Sequence, residues 1–242
     1  MNGARVPSVQ RGPLIGLLSQ VLVLCALDAT LGLDRRGWAV GLTCGGAVCL
    51  TVTVALVRYG RDRLGPADRV TLARAILAGG VAALVVGGQS GATGLVAVAS
   101  ATLVLDRVDG EVARRTHTVS RFGGAFDMEV DAFLILVLSV YVARSVGPWV
   151  LVIGAARYAL WVAARALPWL RNEVPTRPWA KVVAAVQGIV LVWAAAGVPP
   201  GTLTVCLLLG ALALLTVSFT HQVWWLRTHP LTPAPLLVEA GT

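Results

Sequence analysis

The chain has 242 residues, 57% of them hydrophobic and 13% charged, with a formal net charge of +8. Soluble domains carry about 25% charged residues, and a mean hydropathy of +0.78 excludes an ordinary one. In a soluble protein the basic excess would suggest nucleic acid; here the arginines gather in short loops between apolar runs, where they meet lipid head groups, and no nucleic acid is expected.

Apolar runs long enough to cross a hydrocarbon core as helices recur along the chain, and no strand-like alternation suggests a barrel. Spans are predicted at 14–33, 38–57, 70–88, 92–108, 124–143, 147–166, 181–198 and 201–222. The first follows Arg5 and Arg11, but it is too long for a signal peptide and lacks a small-residue cleavage site, so it reads as a retained span. The expected fold is all-α, a polytopic membrane protein. Cys25, Cys44, Cys49 and Cys206 fall inside apolar runs without metal-ligand spacing, and they read as small buried hydrophobes. Asp28, near the outer end of the first span, reads as an interfacial or paired carboxylate.

Charge alternates sharply between the connecting segments. Arg58, Arg61, Arg63 and Arg69 precede the third span; Arg107, Arg114, Arg115 and Arg121 separate the fourth and fifth. Arg165, Arg171, Arg177 and Lys181 follow the sixth, whereas "VVGGQSGATG" and "AAAGVPPGTL" carry no charge. The positive-inside rule puts the basic loops and both termini in the cytoplasm, with the plasma membrane as the expected location. Asp34, Arg35 and Arg36 dissent, since this topology leaves them outside. "RYGRDRLGPADRVTLAR", with Pro66 placed to open a helix, reads equally as an interfacial helix or a solvated connector. The proline-rich tail "HPLTPAPLLVEAGT" reads as disordered.

Six of the 12 acidic residues lie in one stretch, "DRVDGEVARRTHTVSRFGGAFDMEVD", residues 106–131. At 100° per residue Asp106, Asp109, Gly110 and Ala113 share one helical stripe with Arg114 at its edge, while Glu111 points elsewhere. On the following helix Gly123, Asp127 and Asp131 share a face from which Glu129 points away. Four aspartates can therefore converge between two antiparallel helices. Such a group repels itself near neutral pH unless cations compensate, and all-oxygen donors suit Mg²⁺, Mn²⁺ or Ca²⁺ rather than zinc. Two ions about 3.5–4 Å apart can clamp the attacking and leaving oxygens of a displacement at phosphorus. Gly110, Ala113 and Gly123 leave room for a base and its phosphates, and Arg114 can neutralise phosphate oxygens. The bland alternative, loop carboxylates pairing with neighbouring arginines, explains neither the shared facing nor the small residues.

The pattern Asp106-x-x-Asp109-Gly110-x-x-Ala113-Arg114, eight residues, Gly123-x-x-x-Asp127-x-x-x-Asp131 resembles the signature of the CDP-alcohol phosphotransferases at every position. The resemblance implies a six-helix core, here preceded by two extra spans. It also implies a Mg²⁺- or Mn²⁺-dependent transfer from a CDP-linked alcohol to an acceptor hydroxyl with release of CMP. Carried over, Asp106, Asp109, Asp127 and Asp131 bind two divalent ions, and Asp131 is also the general base. Asp109, Gly110, Ala113, Arg114 and Gly123 form the nucleotide pocket. "PADRVTLAR" is similar to the family's Pro-Asn-x-x-Thr-x-x-Arg segment, with Asp68 in place of asparagine; Thr71 and Arg74 become possible substrate contacts. Arg157, a charge in mid-span that needs a wet cavity or a partner, is read as a possible contact to an anionic acceptor or the donor phosphates. Lys181 is a possible substrate contact at the mouth of the seventh span.

The expected organisation is an N-terminal extension over 1–62, the phosphotransferase domain over 63–226 and a tail over 227–242. The expected partners are a CDP-linked lipid donor (CDP-diacylglycerol foremost), a hydroxyl acceptor, membrane lipids and a second copy in a homodimer. A Mg²⁺-dependent prenyltransferase also presents aspartates to a diphosphate, but usually on two separated loops. A divalent-cation transporter would place its acids nearer mid-span. An inactive scaffold would be expected to have lost signature residues.

Overall fold

The computed structural model describes residues 11–58, 65–89, 91–115, 121–171, 178–198 and 200–228, with the backbone alone at 11–13, 66, 109–115, 121–122, 168, 171 and 178. Eight α-helices account for nearly all of it: α1 (Arg11–Leu31), α2 (Arg35–Arg58), α3 (Pro66–Gly87), α4 (Ala92–Arg115), α5 (Arg121–Val146), α6 (Leu151–Ala166), α7 (Pro178–Ala196) and α8 (Gly201–Thr228). Short 3₁₀ turns at Pro148–Val150 and Pro168–Arg171 bracket α6. No strand occurs among the described residues, and the one isolated bridge joins Leu33 to Gly88.

Six of these helices are long and apolar enough to cross a membrane: α1, α2, α3, α6, α7 and α8. α4 and α5 are as long, at 24 and 26 residues, and each gathers its carboxylates toward one end beside a largely apolar body, with Arg144 at the far end of α5. Leu18, Leu22, Leu50, Val57, Trp161 and Trp193 turn outward and are more than half exposed. On a soluble protein such a surface would be a liability; against lipid tails it is matched to its solvent. This is an all-α polytopic membrane protein.

α3 is the axis of the bundle. Of its apolar stretch Ala67–Gly87, 78% is buried, against at most 33% in the other five apolar helices. It packs on α1, α2, α4 and α5. Its small residues allow that crowding: Ala75, Ala78, Ala82 and Ala83 are buried, and a Cβ on Gly79 would meet Gln20 and Cys44 at 3.0–3.2 Å. The facing side of α2 is small too, with Gly37, Gly41 and Gly45 spaced four apart and buried, the pattern by which membrane helices bring backbones together. α5 packs on α6 through Gly154, where a Cβ would lie 2.6 Å from the Leu136 Cα. α7 joins α8, with the buried Gln187 Nε2 donating to the Ala211 carbonyl at 2.8 Å.

The helix ends explain the charges that did not suit the topology. Asp28 accepts from the Leu33 N–H at 2.8 Å and from the Trp38 indole N–H at 3.2 Å, tying the end of α1 to α2. Asp34 accepts from the Gly37 N–H at 2.8 Å, in the N-cap arrangement expected ahead of α2, and its own N–H donates to the Gly87 carbonyl. These carboxylates are therefore capping and linking groups. α3 opens at Pro66, four residues before the expected span, and runs unbroken: Asp68, at the third helical position, reaches back to accept from the N-cap Gly65 N–H at 3.1 Å. The segment expected as an interfacial helix is thus, from Pro66 on, the first turns of α3, while 59–64 lies outside the described residues, as does the tail from 229. The cysteines correct the expectation of burial. All four are free, Cys25 and Cys206 are exposed, and Cys44 and Cys49 are half-buried, because their faces of α1, α2 and α8 point partly or wholly out of the bundle.

Candidate active site

Three of the four signature aspartates meet. Asp106 on α4 and Asp127 and Asp131 on α5 present carboxylate oxygens that all lie within 4.8 Å of one another. Asp127 and Asp131 are one helical turn apart, so they stack on the same stripe. The side chain of Asp109, one turn beyond Asp106, lies outside the described residues, as do those of Ala113 and Arg114. The backbone of all three, and of Gly110, continues α4 to its end. Gly123 stands one turn before Asp127 on α5, half-buried.

Among the described residues α4 and α5 both pack on α3 and on α7. Their aspartates are bridged by a side chain from α3. Arg74 is wholly buried and aims its guanidinium into the cluster. Its Nη1 donates to Asp127 Oδ1 and its Nη2 to Asp131 Oδ1, and Nη2 also lies 3.0 Å from Asp106 Oδ1. The carboxylates stay open to their surroundings, their side chains between 29% and 40% exposed. The planar fork of an arginine suits such divided contact; a lysine ammonium would act as a single point of charge.

The arrangement fits a divalent cation. Oxygens sharing one Mg²⁺ at about 2.1 Å lie no more than about 4.2 Å apart, so three oxygens within 4.8 Å need only a small contraction. The donor set is all carboxylate, as hard cations require. Among the described residues the Arg74 guanidinium faces these three carboxylates, and the charge of Lys181 also reaches Asp106.

The other expected site residues are distributed around this centre. Thr71 is buried one turn before Arg74 and turns its hydroxyl to the Ala67 carbonyl at 3.2 Å. Lys181 stands exposed in the first turn of α7, close enough to Asp106 for their charges to interact. Glu129, on the other side of α5 from Asp127 and Asp131, pairs with Arg157 on α6 at 2.6 Å. The mid-span arginine thus has a carboxylate partner. Sequence reasoning placed Arg74 beside a substrate and did not see it among the aspartates. The signal was present: an arginine inside an apolar span requires anionic company, and the one dense group of carboxylates lies on the next two helices.

The helical framework and the aspartate geometry agree with what the sequence matches. The family model for CDP-alcohol phosphatidyltransferase covers residues 64–221. The chain belongs to that family. No curated protein and no solved structure matches it. Membership makes this CDP-alcohol phosphatidyltransferase relative an integral membrane transferase of the CDP-alcohol type, in a family that generally uses a divalent metal. The match begins at the end of the connector before α3 and takes in α3 to α7 and most of α8, so α1 and α2 stand ahead of it and pack on α3.

Proposed function

We propose that this protein transfers a phosphatidyl group from CDP-diacylglycerol to an acceptor hydroxyl, releasing CMP, in phospholipid synthesis. The observation that carries the reading is the convergence of Asp106, Asp127 and Asp131 from two helices, within the segment that matches the family.

In this reading Asp106, Asp109, Asp127 and Asp131 hold two divalent ions, Mg²⁺ or Mn²⁺. Bound there, such ions stabilise charge on the transferred phosphate and on the departing CMP. Asp131 is also the general base: it takes the proton of the acceptor hydroxyl as that oxygen attacks phosphorus. Asp109, Gly110, Ala113, Arg114 and Gly123 form the nucleotide pocket, the small residues admitting the base and Arg114 pairing with phosphate oxygens. Lys181 and Arg157 are candidate contacts for an anionic acceptor, Arg157 by exchanging Glu129 for it, and Thr71 borders the donor.

The site faces the cytoplasm of the plasma membrane in this proposal, supported by the basic segments that flank it. The domain comprises 63–226, preceded by an extension over 1–62 and followed by a tail over 227–242. A homodimer is the proposed assembly. The test is to incubate the purified protein with CDP-diacylglycerol, Mg²⁺ and a panel of acceptors (glycerol phosphate, inositol phosphate, free alcohols, lipids) and measure CMP release. Acceptor-dependent CMP release supports the reading; its absence across the panel, with CDP-diacylglycerol intact, counts against it.

A further inference from the structure

Arg74 occupies the point that three carboxylates face. Its guanidinium is wholly buried and, among the described residues, it contacts Asp106 from α4 and Asp127 and Asp131 from α5. A divalent cation drawn to the same oxygens would sit within a few ångströms of that positive charge. At such separations like charges repel strongly even at the effective dielectric of a partly open site. The two cations therefore compete for the carboxylates.

Resting on the phosphotransferase reading above, we propose that Arg74 is a built-in counter-ion. It holds Asp106, Asp127 and Asp131 in register before metal loading and yields some of its contacts when a divalent cation arrives. Arg74 acts through the aspartates and is a positioning residue. The arrangement has two linked effects: it stabilises the metal-free protein by compensating carboxylates that would repel each other, and it lowers the affinity of those carboxylates for metal.

The experiment uses the full chain in detergent micelles, as wild type, Arg74→Met, Arg74→Lys and Asp127→Asn. Each is titrated with Mn²⁺, free ion is read by electron paramagnetic resonance, and thermal unfolding is followed with and without Mn²⁺. Arg74→Met is expected to bind Mn²⁺ about tenfold or more tightly than wild type. It should unfold at a lower temperature than wild type without metal and recover most of the difference with Mn²⁺. Arg74→Lys keeps the charge with fewer donors and should fall between them. If Arg74→Met does not fold, Arg74→Lys decides: affinity above wild type supports the proposal, and affinity equal or lower overturns it. Mn²⁺ binding that Asp127→Asn abolishes but the Arg74 variants leave unchanged or weaken overturns the role of Arg74 alone. No Mn²⁺ binding by any variant, together with no CMP release by wild type, overturns the underlying reading as well.

Discussion

Asp127 and Glu129 stand two residues apart on α5 and belong to different neighbours: Asp127 pairs with Arg74 of α3, and Glu129 with Arg157 of α6 at 2.6 Å. About 200° of helix separates them, so one faces the aspartate cluster and the other faces away. Asp127→Asn is therefore expected to abolish nearly all CMP release, because it removes a carboxylate from the metal site. Glu129→Gln should keep most of the activity and lose some stability, because it takes the carboxylate partner from the mid-span Arg157. Purified, folded mutants compared at saturating Mg²⁺ decide it; equal losses would mean that the site responds to bulk negative charge and not to facing.

Asp131 shares the Arg74 guanidinium with Asp127 and sits one turn deeper on α5. If it is the base, Asp131→Asn should lower turnover about 10²–10⁴-fold, and more if metal binding also suffers. Single-turnover CMP release at saturating donor and acceptor is the measurement. Turnover near wild type would remove Asp131 from that role.

Chelation separates chemistry from folding here, because Arg74 remains among the carboxylates when divalent ions leave. Exhaustive treatment with EDTA should stop CMP release, and added Mg²⁺ or Mn²⁺ should restore it. The unfolding temperature should fall only modestly, since Arg74 then compensates the carboxylates in place of the metal. Full activity after chelation would sink the metal-dependent mechanism.

Gly87 closes α3 against the start of α2 at a distance no side chain tolerates. A Cβ there would lie 2.0 Å from the Asp34 carboxylate and 2.4 Å from the Gly37 nitrogen, so backbone as well as side chain must move. Gly87→Ala should cost about 1–3 kcal/mol, the usual range for overpacking. Denaturation in detergent measures the loss. CMP release from the folded fraction should be little changed, because this contact lies at the end of α3 opposite Arg74.

What could be read from the chain alone is what depends on neighbours in sequence. Length and apolarity mark the spans, because a bilayer demands that each satisfy its own backbone. Helical period assigns Asp127 and Asp131 to one face and Glu129 to another, because 100° per residue is a local property. The aspartate spacing carried the family for the same reason. What the chain alone left open is which surface lies opposite each face. Arg74 is 53 residues from Asp127 and 57 from Asp131, and Arg157 is 28 from Glu129. Those pairings follow from α3 becoming the central helix, a consequence of how small residues on α2 and α3 allow close approach. The sequence suggested an aspartate site between two helices. Packing made it a site of three, with the arginine of the third at its centre, since a charge buried in an apolar helix is stable only where the fold brings it opposite charge.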